Sequence, residues 1–332
     1  MTRGSHAAHA RTGRTPAPRA VAVRSRLTFA GAVRGELCKM LSLKSTAVLS
    51  LLTALLLPAG AAIMAWAISF VSTIDPETGR TVADPQPVSA GFMWSCVSAF
   101  VPTCMIVTGI FGVMAVATEY TTSSIQASLV VDPRRVMFMN AKALVAAAIT
   151  FVSSLAGLLL AWWASAALFS AGGLTPLDDS QRALPWVSVL GGALLLTLMT
   201  VMALGFGGIC RSTMGGVFSV VGLLMIVPSA LSMASLAGDG FAWVQSVAQC
   251  LPDRAAATFL TAGVDTAVSS SAASVSVSAE AAGAGASASA PVEAAASTVF
   301  EPTWWQGGLI VLAWTALIYA IGVLVVRRSD VK

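Results

Sequence analysis

The sequence has 332 residues, of which 56% are hydrophobic and only 10% are charged. Ordinary soluble domains carry about 25% charged residues, so this composition excludes a soluble globular protein and indicates one that a bilayer solvates. The formal net charge is +4, and the basic residues are not interleaved with aromatic residues along one face. That distribution favours contact with anionic lipid, and we do not expect nucleic acid as a partner.

Residues 1–26 are rich in Arg, Ala and Thr and hold both histidines, His6 and His9. They show almost no apolar periodicity, which predicts a disordered basic tail in the cytoplasm. A cleaved signal peptide is the alternative. The stretch before the first apolar run is too long for the basic region of a signal peptide, so we expect an uncleaved first helix.

Residues 27–44 show helical spacing of apolar side chains and predict an amphipathic helix that lies on the membrane interface. Glu36 and Lys39 fall away from the apolar stripe, and Arg34 flanks it. The alternative is a solvated extension of the first membrane-spanning helix. The stripe consists of Ala30, Val33, Leu37, Met40 and Leu41.

Six apolar runs are each long enough to cross a hydrocarbon core of about 30 Å as a helix. They predict an all-α membrane protein with six transmembrane helices after the N-terminal interfacial helix. Pro58, Pro102 and Pro228 interrupt three runs and predict kinks. The runs cover residues 45–71, 90–117, 144–168, 186–210, 214–236 and 304–326.

The distribution of Lys and Arg predicts the orientation. If both termini are cytoplasmic, sixteen basic residues lie on the cytoplasmic side and three, Arg80, Arg182 and Arg254, lie outside. The positive-inside rule therefore favours cytoplasmic termini. The last outer segment begins with a semi-ordered piece from Trp243 to Leu260. Residues 264–297 follow with no Lys, Arg or aromatic residue, which predicts a flexible low-complexity segment, with a β-rich insert as the alternative.

Motifs for catalysis and for metal binding are missing from the sequence. There is no G-x-x-x-x-G-K-[ST], no H-E-x-x-H and no G-x-S-x-G motif, and none of the five cysteines forms a C-x-x-C pair. The centres of the six runs hold no Asp, Glu, Lys, Arg or His, although ion-coupled carriers generally place such residues there. We therefore expect no catalytic or metal site in this chain. Coupling to a separate ATPase is the natural hypothesis, and a passive channel or a structural membrane protein also fits.

The stretch GVMAVATEYTTSSIQASLVVDPRRVMFMNAKALV, from Gly112 to Val145, resembles the cytoplasmic loop of ABC-2 type transporter permeases. In that family a helix ends in Glu-Tyr/Phe, then come a short turn, a Leu, a Pro-Arg-Arg and a Lys that opens the next helix. Ser123 stands where the family usually has Gly. The matching residues are Glu119, Tyr120, Ile125, Leu129, Pro133, Arg134, Arg135 and Lys142.

Further short pieces match the family in the same order along the chain. They are the interfacial-helix residues Arg34, Glu36 and Lys39, the loop Arg211-Ser212-Thr213, Leu251-Pro252 and the basic ending Arg327-Arg328. The resemblance implies the membrane subunit of an ATP-driven exporter in a bacterial cytoplasmic membrane. It implies a second permease subunit, the same or related, and two ATPase subunits that bind ATP and Mg²⁺. It does not specify the substrate.

The resemblance implies that the loop of residues 118–142 is the coupling element that docks the ATPase. A short amphipathic helix with Ile125 and Leu129 on one side suits such docking, and Arg134 and Arg135 could pair with acids or lipid phosphates. They could also be plain positive-inside anchors. We expect a basic residue, such as one of these two arginines, to pair with Glu119.

Two other classes of protein compete with the permease hypothesis. A membrane anchor or sensor would use the outer segment 264–297 as its working part. A membrane-embedded enzyme would need a buried nucleophile or acid–base group, and the sequence offers no candidate for one.

Overall fold

The computed structural model describes residues 28–73, 88–121, 135–170, 173–177, 179–235, 242–264 and 300–328. The predicted tail, residues 1–26, lies outside these ranges, and so does the low-complexity segment apart from Val264.

Within these ranges six helices are long and apolar enough to cross a membrane, which confirms the prediction of an all-α, multi-pass membrane protein. We name the side on which span 1 begins the N-terminal side. Spans 1, 3 and 5 begin there, and spans 2, 4 and 6 end there. The spans are Lys44–Val71 (span 1), Ala90–Thr121 (span 2), Val136–Phe169 (span 3), Leu184–Cys210 (span 4), Thr213–Ala234 (span 5) and Trp304–Arg328 (span 6).

The helices around the predicted coupling loop are longer than their apolar runs. Span 2 continues to Thr121, and the helix of span 3 already begins at Arg135. The predicted loop 118–142 is therefore wrong at both ends, and only residues 122–134 lie outside the described helices. Hydropathy stopped at Glu119 and Lys142 because it scores each charge alone, whereas these two charges neutralise each other in the folded chain.

Three spans contain a break in regular α-helix. Span 2 consists of Ala90–Ser98 and Val101–Thr121, so the break falls next to Pro102, at the second residue of the later helix, where proline is tolerated. Span 4 has a π-turn at Val187–Gly191, and span 5 has one at Gly222–Ile226, which ends two residues before Pro228. Pro58 lies inside the continuous helix of span 1.

Span 4 is the central helix of the bundle. Of its most apolar window 61% is buried, against 22% for span 1 and 17% for span 5. Spans 4 and 6 run in the same direction and pack closely: a Cβ on Gly205 would lie 2.7 Å from the carbonyl oxygen of Ile318, and one on Gly322 would lie 2.6 Å from that of Gly205. Thr315 Oγ1 also donates to the carbonyl of Leu198 at 3.4 Å. Small residues permit this approach of two backbones, as is common between membrane helices.

The remaining elements are short. Strand β1, Val88–Ser89, pairs in parallel with strand β2, Leu174–Thr175, at the side opposite the N-terminal side. A 3₁₀ turn covers Asp179–Gln181. The described part of the connection from span 5 to span 6 contains two helices, Ala242–Gln249 and Pro252–Leu260. The piece that we predicted to be semi-ordered is thus helical.

A helix before span 1, Phe29–Ser42, agrees with the predicted N-terminal helix in position. Thr28 caps it by accepting a hydrogen bond from the backbone N–H of Gly31 at 3.3 Å. The placement of this helix on the membrane interface stays a prediction. Glu36 is buried in the protein, whereas Leu37 is 38% and Leu41 64% exposed.

Candidate functional site

Among the residues that the structure describes, Lys142 in span 3 is the largest side chain that is almost completely buried, with 1% of it exposed. Its ammonium donates to Glu36 Oε2 at 2.6 Å and to Glu119 Oε1 at 2.7 Å. Lys39 also donates to Glu119 Oε1. We call these four side chains the ion network. Two lysines and two glutamates carry no net formal charge together, which makes their burial tolerable.

The ion network joins three elements that are far apart in sequence. Glu36 and Lys39 are three residues apart in the N-terminal helix and therefore lie on the same face of it. Glu119 lies in the last turn of span 2, and Lys142 lies about two turns into the helix of span 3. The contacts bridge 106 residues between Glu36 and Lys142 and 23 residues between Glu119 and Lys142.

Apolar side chains enclose the network. The ammonium of Lys142 lies 5.0 Å from the centroid of the Phe138 ring, within reach of a cation–π interaction. Met40 from the N-terminal helix and Met139 from span 3 belong to the same buried apolar cluster. Removal of one partner from a buried ion pair destabilises a protein by about 3–5 kcal/mol, because the other charge stays buried without compensation. The network therefore fixes the N-terminal helix against the adjoining ends of spans 2 and 3.

One carboxylate oxygen of the ion network accepts no hydrogen bond from the described residues. Glu119 Oε2 is buried and has no hydrogen-bond partner among the residues that the structure describes. Its other oxygen, Oε1, accepts from both Lys39 and Lys142. Lys39 differs from Lys142 in that 38% of its side chain is exposed, so it forms the open edge of the network.

The predicted site residues have different outcomes. Glu119 pairs with basic residues, as we expected, and in the described part of the chain these are Lys39 and Lys142. Arg34 is exposed and makes no ion pair within the described ranges. Tyr120 is half-buried at the end of span 2. Three other predicted docking residues, Ile125, Leu129 and Arg134, lie outside the described residues. Arg135 begins the helix of span 3, but its side chain is not described.

Sequence reasoning missed the pairing of Glu36 with Lys142. Two signals could have found it. Lys142 is a single basic residue inside a mostly apolar stretch of span 3. Glu36 lies four residues before Met40 and therefore on the same face of the N-terminal helix. A basic residue among apolar ones usually has an acidic partner.

A second polar cluster lies deeper in the bundle. The hydroxyls of Thr150 in span 3 and Thr200 in span 4 are 3.0 Å apart, and Thr200 Oγ1 also lies 3.3 Å from the carbonyl oxygen of Thr108 in span 2. All three residues are buried. This threonine cluster lies about 12 Å beyond Lys142, because eight residues of span 3 separate Thr150 from it.

The chemistry of the ion network is that of a structural clamp. Both carboxylates accept hydrogen bonds from lysine, which leaves them poor ligands for a metal. Within the described ranges no three His, Cys, Asp or Glu side chains group together in a way that could hold a metal ion. The clamp's role follows from where it lies: it connects the end of span 2 with the first turns of span 3, the two helices that residues 122–134 link in sequence.

No protein-family model matches the chain, and no curated protein matches it.

Proposed function

We propose that this chain is the permease subunit of an ATP-driven ABC transporter of the ABC-2 type. It works as an exporter in a bacterial cytoplasmic membrane, with its N-terminal side and both termini in the cytoplasm. A separate ATPase subunit binds ATP and Mg²⁺, and a second permease subunit, identical or related, completes the pathway. The resemblance of residues 112–145 to the permease loop is the origin of this proposal.

The ion network is the observation that supports it. Residues 122–134, the part of the loop that would receive the ATPase, connect the end of span 2 at Thr121 with the start of the span 3 helix at Arg135. The network clamps both of these helix ends to the N-terminal helix. A push on residues 122–134 would therefore move the N-terminal helix and spans 2 and 3 as one body. A coupling element needs this rigidity, since a loose connection would absorb the movement.

The second permease subunit has a suitable surface in span 5. Only 17% of its most apolar window is buried within the chain. Met214, Phe218 and Met233 are each at least 70% exposed. Methionine-rich apolar surfaces adapt to a partner's shape, and lipid or a partner helix can cover them.

The test is purification of the tagged chain from its native host in mild detergent, with identification of bound proteins by mass spectrometry. Wild type is compared with Arg134→Ala combined with Arg135→Ala, which leaves the ion network intact, and with the control Asp179→Ala combined with Arg182→Ala, which removes an exposed ion pair. We expect an ATP-binding subunit to accompany the wild type and the control and to be lost from the first variant.

Two results would change the proposal. Recovery of the ATPase with all three proteins would keep the permease function and place the docking contact elsewhere. If no ATP-binding protein accompanies the wild type after chemical cross-linking in intact cells, the transporter proposal fails, and a membrane anchor or sensor becomes the better hypothesis.

A further inference from the structure

A shallow cleft of about 330 Å³ lies at the N-terminal side, where span 6 ends next to the turn between spans 4 and 5. Arg211, Ile321, Leu324, Val325 and Arg328 line it. Three apolar residues of span 6 thus form one wall, and two arginines lie at the end of the helices, where a membrane-spanning segment meets the lipid headgroups. Such basic clefts between membrane helices are typical sites for anionic headgroups.

The packing of spans 4 and 6 brings the two arginines to the same level. The helices run in parallel, and Gly205 lies against Gly322. Arg211 follows Gly205 by six residues, and Arg328 follows Gly322 by six residues. Since both helices rise by 1.5 Å per residue, both arginines lie about 9 Å beyond the glycine contact. The close helix contact therefore sets up a pair of guanidinium groups.

Both guanidinium groups are available for a ligand. Arg211 and Arg328 are exposed, and neither forms an ion pair or a side-chain hydrogen bond with any residue that the structure describes. The nearest acid in the sequence, Asp330, lies outside those residues. This pair differs from the lysines of the ion network, each of which has an acidic partner.

The backbone at Arg211 adds a second observation. Its φ is +50°, in the left-handed region, where the residue after a helix is usually glycine. An arginine at this position is strained relative to glycine. The protein thus has a long basic side chain at a position where the backbone conformation favours glycine, which has no side chain.

We infer that this cleft binds one anionic phospholipid. Its phosphate pairs with Arg211 and Arg328, and one acyl chain packs along Ile321, Leu324 and Val325. Ile321 is 41% and Leu324 47% exposed, so the wall is open to the acyl chain. A free phosphate ion would leave this apolar wall without a partner, whereas a phospholipid satisfies both the charged and the apolar parts. The inference does not depend on the transport proposal.

The experiment measures lipid binding to the purified full-length chain by native mass spectrometry and by thermal shift in detergent. The added probes are phosphatidylglycerol, phosphatidylcholine and inorganic phosphate. The test variant is Arg211→Gln with Arg328→Gln. The control is Arg182→Gln with Arg327→Gln, which removes the same charge without changing a residue that lines the cleft.

We expect phosphatidylglycerol, and neither of the other probes, to raise the melting temperature of the wild type and the control. The test variant should bind phosphatidylglycerol at least tenfold more weakly, since each basic residue at an anionic surface contributes roughly a factor of five. Arg211→Gly should fold at least as well as the wild type, because glycine suits the left-handed backbone, and yet lose about fivefold in affinity.

Three results would overturn the inference. Equal weakening in the test and control variants would indicate a diffuse attraction to anionic surfaces. Equal stabilisation by inorganic phosphate would indicate an anion site that does not use the apolar wall. Equal binding of phosphatidylcholine and phosphatidylglycerol by the wild type would show that the arginines do not select the headgroup.

Discussion

The ion network at the N-terminal side and the threonine cluster deeper in the bundle bury different polar groups. The network buries full charges, and its edge at Lys39 is still open to solvent. The threonine cluster buries only hydroxyl groups, each bonded to another hydroxyl or to a backbone carbonyl. A charge at the centre of a bilayer is expensive, whereas a hydroxyl can share hydrogen bonds within its own helix.

The two clusters also differ in what they specify. The network joins the N-terminal helix to spans 2 and 3 by strong, directional contacts over long sequence distances. The threonine cluster lies where spans 2, 3 and 4 approach closely, so backbone packing accounts for most of the association there. We therefore expect a single substitution in the ion network to destabilise the protein by leaving a buried charge without its partner. A substitution where spans 2, 3 and 4 pack closely should destabilise it by steric overlap.

The largest effect is expected from Lys142→Met, which leaves Glu36 and Glu119 buried without their shared partner. The free energy of unfolding should fall by about 3–5 kcal/mol. The measurement is thermal or denaturant stability in detergent, followed by fluorescence or size-exclusion chromatography.

The matched control for this prediction is the double variant Lys142→Met, Glu36→Gln. It removes one charge of each sign and leaves the pair of Lys39 with Glu119 intact. The double variant should regain most of the free energy of unfolding that Lys142→Met loses, because a neutral replacement of a buried ion pair is often tolerated. A double variant that is as unstable as the single one would show that the lysine acts through packing alone.

Gly112→Ala tests the close packing at the centre. A Cβ on Gly112 would overlap the carbonyl oxygen of Thr200, and backbone cannot move aside as a flexible side chain can. We expect a loss of about 1–3 kcal/mol, as for other overpacked positions. Gly222→Ala is the control, since no atom lies within 4 Å of its added methyl group. If both variants lose the same stability, the predicted overlap is not the cause.

Thr200→Val sharpens the comparison, because it removes the hydroxyl of the threonine cluster and keeps the shape of the side chain. The expected loss is about 0.6 kcal/mol, the average for a hydrogen bond between membrane helices. The same stability assay detects it, with Thr197→Val as the control. Among the described residues, the Thr197 hydroxyl bonds only to a carbonyl of its own helix, that of Ala193. A loss above about 2 kcal/mol would mean that hydroxyls hold this region as firmly as charges hold the network.

The smallest effect is expected from Asp179→Asn. Asp179 pairs with Arg182 at 2.7 Å, but both side chains are mostly exposed, so water screens their attraction. The change in stability should stay within about 0.5 kcal/mol and vanish at high salt. An effect comparable to that of Lys142→Met would contradict the view that burial, rather than the ion pair itself, makes the network strong.

Sequence patterns predicted the six spans because a helix in lipid must satisfy its backbone hydrogen bonds internally, and a long apolar run has no other stable form there. They were least accurate at the ends of spans 2 and 3. A charged residue ends an apolar run in any window of sequence, whereas in the folded chain Glu119 and Lys142 neutralise each other and their helices continue. The buried position of Glu36 was missed for the same reason.

The sequence by itself thus determined the number of spans, their approximate bounds and the presence of a helix before span 1, because these depend on local apolar content. The tertiary structure decided which charges meet, since Glu36 and Lys142 are separated by 106 residues. It also set the register of spans 4 and 6 that places Arg211 level with Arg328. Both outcomes depend on the packing of distant backbones at small residues, and no local pattern encodes that packing.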